Sequence, residues 1–212
     1  MRLKIPYYAQ TSEFSCGPAC LLMVCSFLDR RVKLTRAREF SIWRQCTMIG
    51  IRGADPFGMS IPLLQASHEV RLLTGRIDAQ TVKLRHERML EHGFAEEDVA
   101  LAQFGMADNR RRARALGLPV TYGRLTVERV REGFREGCVP IVLVHMGVVH
   151  QLEIPHWIVV TRAGEGDMTF HDPYPPKGGR HIRVSDDEFR QMIEQVTRLG
   201  HSPSALFVGH PR

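Results

Sequence analysis

The chain lacks any apolar run long enough to span a bilayer; its longest apolar stretches, such as residues 139–146, are strand-sized and interrupted. It also lacks an apolar segment behind the charges of the opening Met-Arg-Leu-Lys-Ile-Pro, so no secretory leader is expected and a cytoplasmic location follows. Cysteine is sparse and odd in number: residues 16, 20, 25, 46 and 138 show no disulfide-framework spacing. Reduced thiols are the expectation, most of them small core residues, with room for one of special reactivity. Repeats and low-complexity tracts are absent. Aromatic residues are few, at 8%, and none interleaves with the arginine cluster Arg110, Arg111, Arg112 and Arg114. That excludes a base-stacking platform there. The net charge of +6 then reads as a solvated helix face, and nucleic acid is not an expected partner.

What is present suits one folded domain. A chain of 212 residues with 43% hydrophobic content can bury a full core. Residues 3–9 read as a short strand, 17–30 as a mostly buried helix, and Thr35 as the cap of a second helix towards residue 48. Residues 53–58 read as a loop by their turn residues, followed by a helix over 60–69 and a strand over 70–73. A polar helical stretch covers 79–117 with a break near Gly93. After Leu118 short β-rich runs take over, at 119–122, 140–145, 157–161, 168–171, 181–184 and 205–208. Helices interrupt these runs at 126–136 and 185–197. A helical part over about 10–117 followed by a β-rich part over about 118–212, without regular βαβ alternation, predicts an α+β fold around an antiparallel sheet.

One constellation carries chemistry. Cys16 stands where the polar loop 10–15 turns into the apolar helix, within Gln10-Thr-Ser-Glu-Phe-Ser-Cys16-Gly-Pro-Ala-Cys20. Pro18 fits a first helical turn, and Gly17 lets the backbone pass close to whatever Cys16 attacks. Unpaired N–H groups and the helix dipole favour a thiolate there, and the same amides can face an oxyanion. Gln10, at the end of the preceding strand, is placed to add a side-chain N–H. A cysteine nucleophile needs a base, and the base an orienting acceptor. His156 opens the strand-like run His-Trp-Ile-Val-Val-Thr, and the turn near residues 164 and 165 returns the chain through Met168-Thr-Phe-His-Asp172-Pro. In such a hairpin His156 and Asp172 meet at the open end. Asp172 shares a face with Phe170, whereas His171 points away. Singly, each residue suits an ordinary structural role; together, in the order Cys, His, Asp, they define a nucleophile, its base and an orienter.

The segment 10–20, the His156-Trp-Ile-Val-Val run and the Asp172-Pro173 pair resemble the double-glycine leader peptidases. These are papain-like cysteine peptidase domains that trim bacteriocin precursors at the front of ABC exporters. The Cys-Gly-Pro-Ala form is similar above all to the stand-alone, peptidase-like members of that superfamily, some of which accompany N-acetyltransferase or ATP-grasp modules. The resemblance implies a papain-like fold, with Cys16 as nucleophile, His156 as base and acid, Asp172 as orienter and Gln10 in the oxyanion hole. It implies a peptide or protein substrate, no membrane partner and no cofactor. Ser15 stands where the exporter-type domains carry aspartate, and the stretch 79–117 lengthens the chain, so cleavage after a double glycine is not implied.

Other classes remain beside the hydrolase. An amine in place of water would make the protein an acyl or peptidyl transferase of the phytochelatin-synthase type. A non-catalytic peptide-binding module would use the same cleft. Metal-dependent hydrolysis would draw on His145, His150, Glu153, His156, His171 and Asp172, but no His-Glu-x-x-His pattern occurs and strand pairing scatters these residues over both faces. Residues 146–155 are expected to line the cleft, with His150 and Glu153 available to substrate and the 53–58 loop opposite.

Overall fold

The computed structural model describes residues 2–48, 50–76 and 78–209. Among them the chain forms, in order, α1 (Cys16–Leu28), α2 (Arg36–Cys46), α3 (Pro56–Gln65), β1 (Val70–Thr74), α4 (Ala79–Glu91), α5 (Glu96–Ala115) and β2 (Val120–Tyr122). There follow α6 (Val127–Arg135), β3 (Val139–His145), α7 (Gly147–His150), β4 (Pro155–Ala163), β5 (Asp167–Asp172), β6 (Gly179–Ser185) and α8 (Asp186–Gln195). A 3₁₀ turn (Val196–Leu199) and β7 (Ser204–Val208) complete the described order.

Local signals set most helix starts. Thr35, Asp55, Asp78, Thr126 and Ser185 each accept a backbone N–H from the first turn of the following helix. Ser185 and Glu188 form a full capping box. Helix α3 begins earlier than the turn residues suggest, because Asp55 accepts from the Phe57 and Gly58 N–H groups and Pro56 occupies the first helical turn. The segment expected as a loop is therefore a helix start.

The strands form one seven-stranded sheet in the order β2-β1-β7-β3-β4-β5-β6. All pairings are antiparallel except β1 with β2, which is parallel. The sheet thus differs from the expected antiparallel one at its edge, and β1 reaches it from within the helical part. Residues 3–9 join no sheet; the segment is tied by Leu3 N–H to the Thr161 carbonyl at 2.8 Å and by Gln10 N–H to the Pro173 carbonyl at 2.8 Å. Both faces of the sheet are covered. Val139, Ile141, Leu143, Trp157 and Val159 pack with α1 and α3, while the alternate residues Val142, Val144, Ile158 and Val160 pack with α6 and α8. Two-sided burial explains why β3, β5 and β7 are buried along their whole length and why β3 and β7 are largely apolar. Fully buried side chains such as Leu21, Ile141 and Phe170 each contribute about 1.5–3 kcal/mol.

Helix α5 packs on α3, and α4 packs on α5 and on the 3₁₀ turn. Helix α5 runs unbroken through Gly105, whose buried face it shares with Val99, Ala102, Asn109 and Ala113. Asn109 Nδ2 donates to Asp55 Oδ2 at 2.6 Å and pins α5 to the start of α3. The arginine cluster is partly absorbed here: Arg110 and Arg114 both donate to the Tyr122 hydroxyl, at 3.0 and 3.2 Å. Among the described residues no helix is long and apolar enough to cross a membrane.

Candidate active site

Cys16 is the first residue of α1 and is half-buried. Ser15 precedes the helix, but its side chain makes no cap bond. Its hydroxyl instead donates to Glu39 Oε1 at 2.6 Å and accepts from the Ser12 hydroxyl at 2.8 Å. With no side-chain cap, and with Pro18 carrying no N–H, the Cys16 amide at this helix start is left for another acceptor, while the Gly17 amide serves the Cys16 sulfur. Gly17 is required by packing as much as by chemistry. A Cβ there would lie 2.9 Å from Met59 Sδ and 3.3 Å from both Ala54 Cβ and Trp157 Cδ1. The close approach that the structure shows is thus to Met59, Ala54 and Trp157.

Trp157 joins the two sides of the site. Its Nε1 donates to the Ala54 carbonyl at 3.0 Å, and its own carbonyl accepts the Cys20 thiol at 3.2 Å. Burial, followed by the nearby Cys16 and Asp172 charges, pushes the Cys20 thiol far up, so it remains a neutral donor.

His156 lies near the start of β4 and is 2% exposed. The antiparallel register of β4 with β5 pairs Val159 with His171 and brings Asp172 beside this strand opening. His156 Nε2 meets Asp172 Oδ1 at 2.7 Å. The Cys16 thiol lies close enough to this imidazole for each to shift the other's hold on its proton. Burial works against charge on all three groups, and their mutual contacts outweigh it. Burial pushes the Cys16 thiol up, but the His156 charge, the His156 hydrogen bond and the Trp157 and Gly17 backbone bring it below its ordinary value. Burial pushes His156 down, yet the Cys16 charge and the Asp172 bond raise it to about 9. Burial likewise pushes Asp172 up, and the His156 bond and charge hold it below the usual carboxylate range. The arrangement favours a thiolate–imidazolium pair backed by a carboxylate ion.

Gln10 is 3% exposed and sits beside this group through its backbone bond to Pro173. Its Nε2 donates to the Ser12 carbonyl at 2.8 Å, leaving the second amide hydrogen uncommitted, and its Oε1 is buried without a partner.

Sequence reasoning missed Glu39 and Tyr174 and placed His150 towards substrate. Glu39, fully buried on α2, accepts from the Tyr8 hydroxyl at 3.0 Å, the Thr11 N–H at 2.9 Å, the Thr11 hydroxyl and Ser15 Oγ, and so ties down the loop before Cys16. The Tyr174 N–H donates to Asp172 Oδ1 at 2.9 Å, and its ring stands edge-on to His156. His150, expected on a substrate-facing loop, turns inward and places Nε2 2.6 Å from Asp172 Oδ2. Glu153 stays exposed, its carboxylate 3.1 Å from His145 Nε2. The Asp-Pro-Tyr spelling was the available hint for Tyr174; Glu39 and His150 carried none. Among the described residues no group of three or more His, Cys, Asp or Glu is disposed to hold a metal ion.

Helices leading into a sheet covered on both faces, with a cysteine at a helix tip beside a histidine and an aspartate on neighbouring strands, define the papain-like cysteine peptidase fold. Residues 5–199 match the Peptidase_C39 like family, and the chain belongs to that family. A C39-like peptidase from Bacillus anthracis shares the fold at a TM-score of 0.53 and 8% identity, covering 99% of this chain and 96% of that one. The peptidase domain of Streptococcus ComA, described as a bi-functional ABC transporter of a quorum-sensing pathway, aligns at a TM-score of 0.47 and 13% identity, over 97% of this chain and 98% of that one. No curated protein sequence matches the chain.

Proposed function

We propose that the protein is a cysteine hydrolase of peptide or amide bonds, acting through a thioester on Cys16. The observation that carries this reading is the His156–Asp172 pair, held at 2.7 Å beside a Cys16 thiol whose acidity it raises, at a helix start that no side chain caps. His156 holds the thiol proton, and the thiolate attacks the substrate carbonyl carbon. The carbonyl electron pair moves onto oxygen, which the Cys16 N–H and the uncommitted Gln10 amide hydrogen receive. His156 then gives its proton to the leaving amine as the carbon–nitrogen bond breaks. Water attacks the resulting thioester, His156 takes one of its protons, and the carbon–sulfur bond breaks to release the acid and restore the thiolate–imidazolium pair. The substrate is a peptide or protein, and the compartment is the reducing cytoplasm, a choice supported by five free cysteines. Family membership supports the chemistry; Ser15 and helices α4 and α5 separate the chain from the exporter-type substrate.

An electrophilic acyl-peptide library with mass-spectrometric mapping tests the reading. The adduct is expected on Cys16 and is expected to vanish in Cys16→Ala. Labelling that persists in that variant, or a wild-type chain that no member labels, contradicts it.

A further inference from the structure

Asp172 has one more partner than the proposed reaction uses. His150, the last residue of α7, approaches Asp172 Oδ2 at 2.6 Å, and only 7% of its side chain is exposed. We infer that His150 is a positioning residue for the Cys16–His156 pair, acting through Asp172; this rests on the function proposed above.

A carboxylate ion only accepts hydrogen bonds, so both rings must present Nε2–H to Asp172. Oδ1 then takes His156 and the Tyr174 N–H, and Oδ2 takes His150. A donor on each oxygen fixes the carboxylate plane, and with it the direction in which His156 is held. Among the described residues His150 is the one side-chain donor to Oδ2 of this fully buried carboxylate, so its removal leaves that oxygen bare. A buried acceptor left bare is costly, and the group turns to find another donor. That turn would carry His156 away from the sulfur.

The segment that delivers His150 is itself seated. Met146 N–H bonds to the Ile154 carbonyl at 3.3 Å, Gly147 N–H bonds to His145 Nδ1 at 3.0 Å, and Lys177 Nζ reaches the His150 carbonyl at 3.4 Å. Gln151 reverses the chain at φ +57°. Val148, Val149, Leu152 and Ile154 pack against the core beneath α6 and α8. The same short stretch then enters β4 and supplies His156, so seating this loop sets both imidazoles on one carboxylate.

The test compares the rate at which an acyl probe labels Cys16 in the wild type, His150→Gln and His150→Leu, and reads the His150 tautomer in the wild type by nitrogen-15 NMR. His150→Leu is expected to slow labelling about 10- to 100-fold, the range seen when a group that orients another is lost. His150→Gln, whose amide N–H can replace Nε2–H, is expected to return close to the wild-type rate. Wild-type labelling in His150→Leu, or no recovery in His150→Gln, overturns the inference alone. Should His150→Leu fail to fold, the tautomer decides: Nε2–H upholds the role and an Nδ1–H tautomer ends it. A wild-type protein unlabelled at Cys16 removes the proposed function and this inference together.

Discussion

At the scale of single residues, the site turns on whether burial or mutual contact sets each charge. Contact prevails at Cys16, His156 and Asp172, so the ion pair should persist between the lowered Cys16 value and about pH 9. Reactivity is therefore expected to fall on the alkaline side near pH 9, as His156 loses its proton, and on the acid side only below the usual thiol range, as Cys16 regains one. In Cys16→Ala the thiolate charge that raises His156 is gone while its burial remains, so an NMR titration should show the His156 value falling from about 9; no fall would separate the two residues. On the proposed mechanism Gln10→Ala removes one oxyanion donor and should lower kcat by about 10²–10³ with little change in the unfolding midpoint; unaltered turnover takes Gln10 out of the site. Cys16, His156 and Asp172 could be singled out because each stands at an element end that the sequence marks, whereas the strand expected before Gln10 joins no sheet, so its place rested on the resemblance. His150 lies in an aperiodic loop, and Glu39 looks like any acidic residue in a first helical turn, so their inward bonds could not be read.

At the scale of elements, the caps were readable and the exact starts were not always. Asp55-Pro56 shows why: the pair occurs both in turns and at helix starts, and only the Phe57 and Gly58 amides decide for the helix. Asp55 has a second task, since its other oxygen receives Asn109 from α5. Asp55→Ala should therefore cost about 1–3 kcal/mol, a lost cap plus a stranded amide, read by denaturant unfolding. Burial is the main cause that pushes the Asp55 carboxyl from 3.8 up to about 6. A folded value above the unfolded one means that the native state binds the proton more tightly. Its stabilising increment is thus full below pH 3.8 and lost as pH rises through about 6. Asp55→Asn should keep the cap and flatten that part of the stability profile; an unchanged profile would assign it to other groups.

At the scale of the whole molecule, the α+β class was legible because the polar helical texture gives way to short apolar runs. The edge pairing of β1 with β2 and the covering of both sheet faces were not, since these depend on which distant segments meet. The same long-range assembly makes the site: Cys16, His156 and Asp172 are brought together only by α1 lying against β4 and β4 against β5. The depressed thiol is therefore a property of the folded chain. Burial raises Cys20, Cys25, Cys46 and Cys138, so Cys16 is the one thiol whose acidity the fold increases. The most direct measurement is the ultraviolet thiolate absorbance titrated with pH, taken as wild type minus Cys16→Ser, in the folded protein and again in denaturant. One thiolate that survives below the ordinary thiol range in the folded chain, and moves up to that range on unfolding, is the predicted result. A folded-state thiolate that appears only at or above the ordinary range would contradict the account.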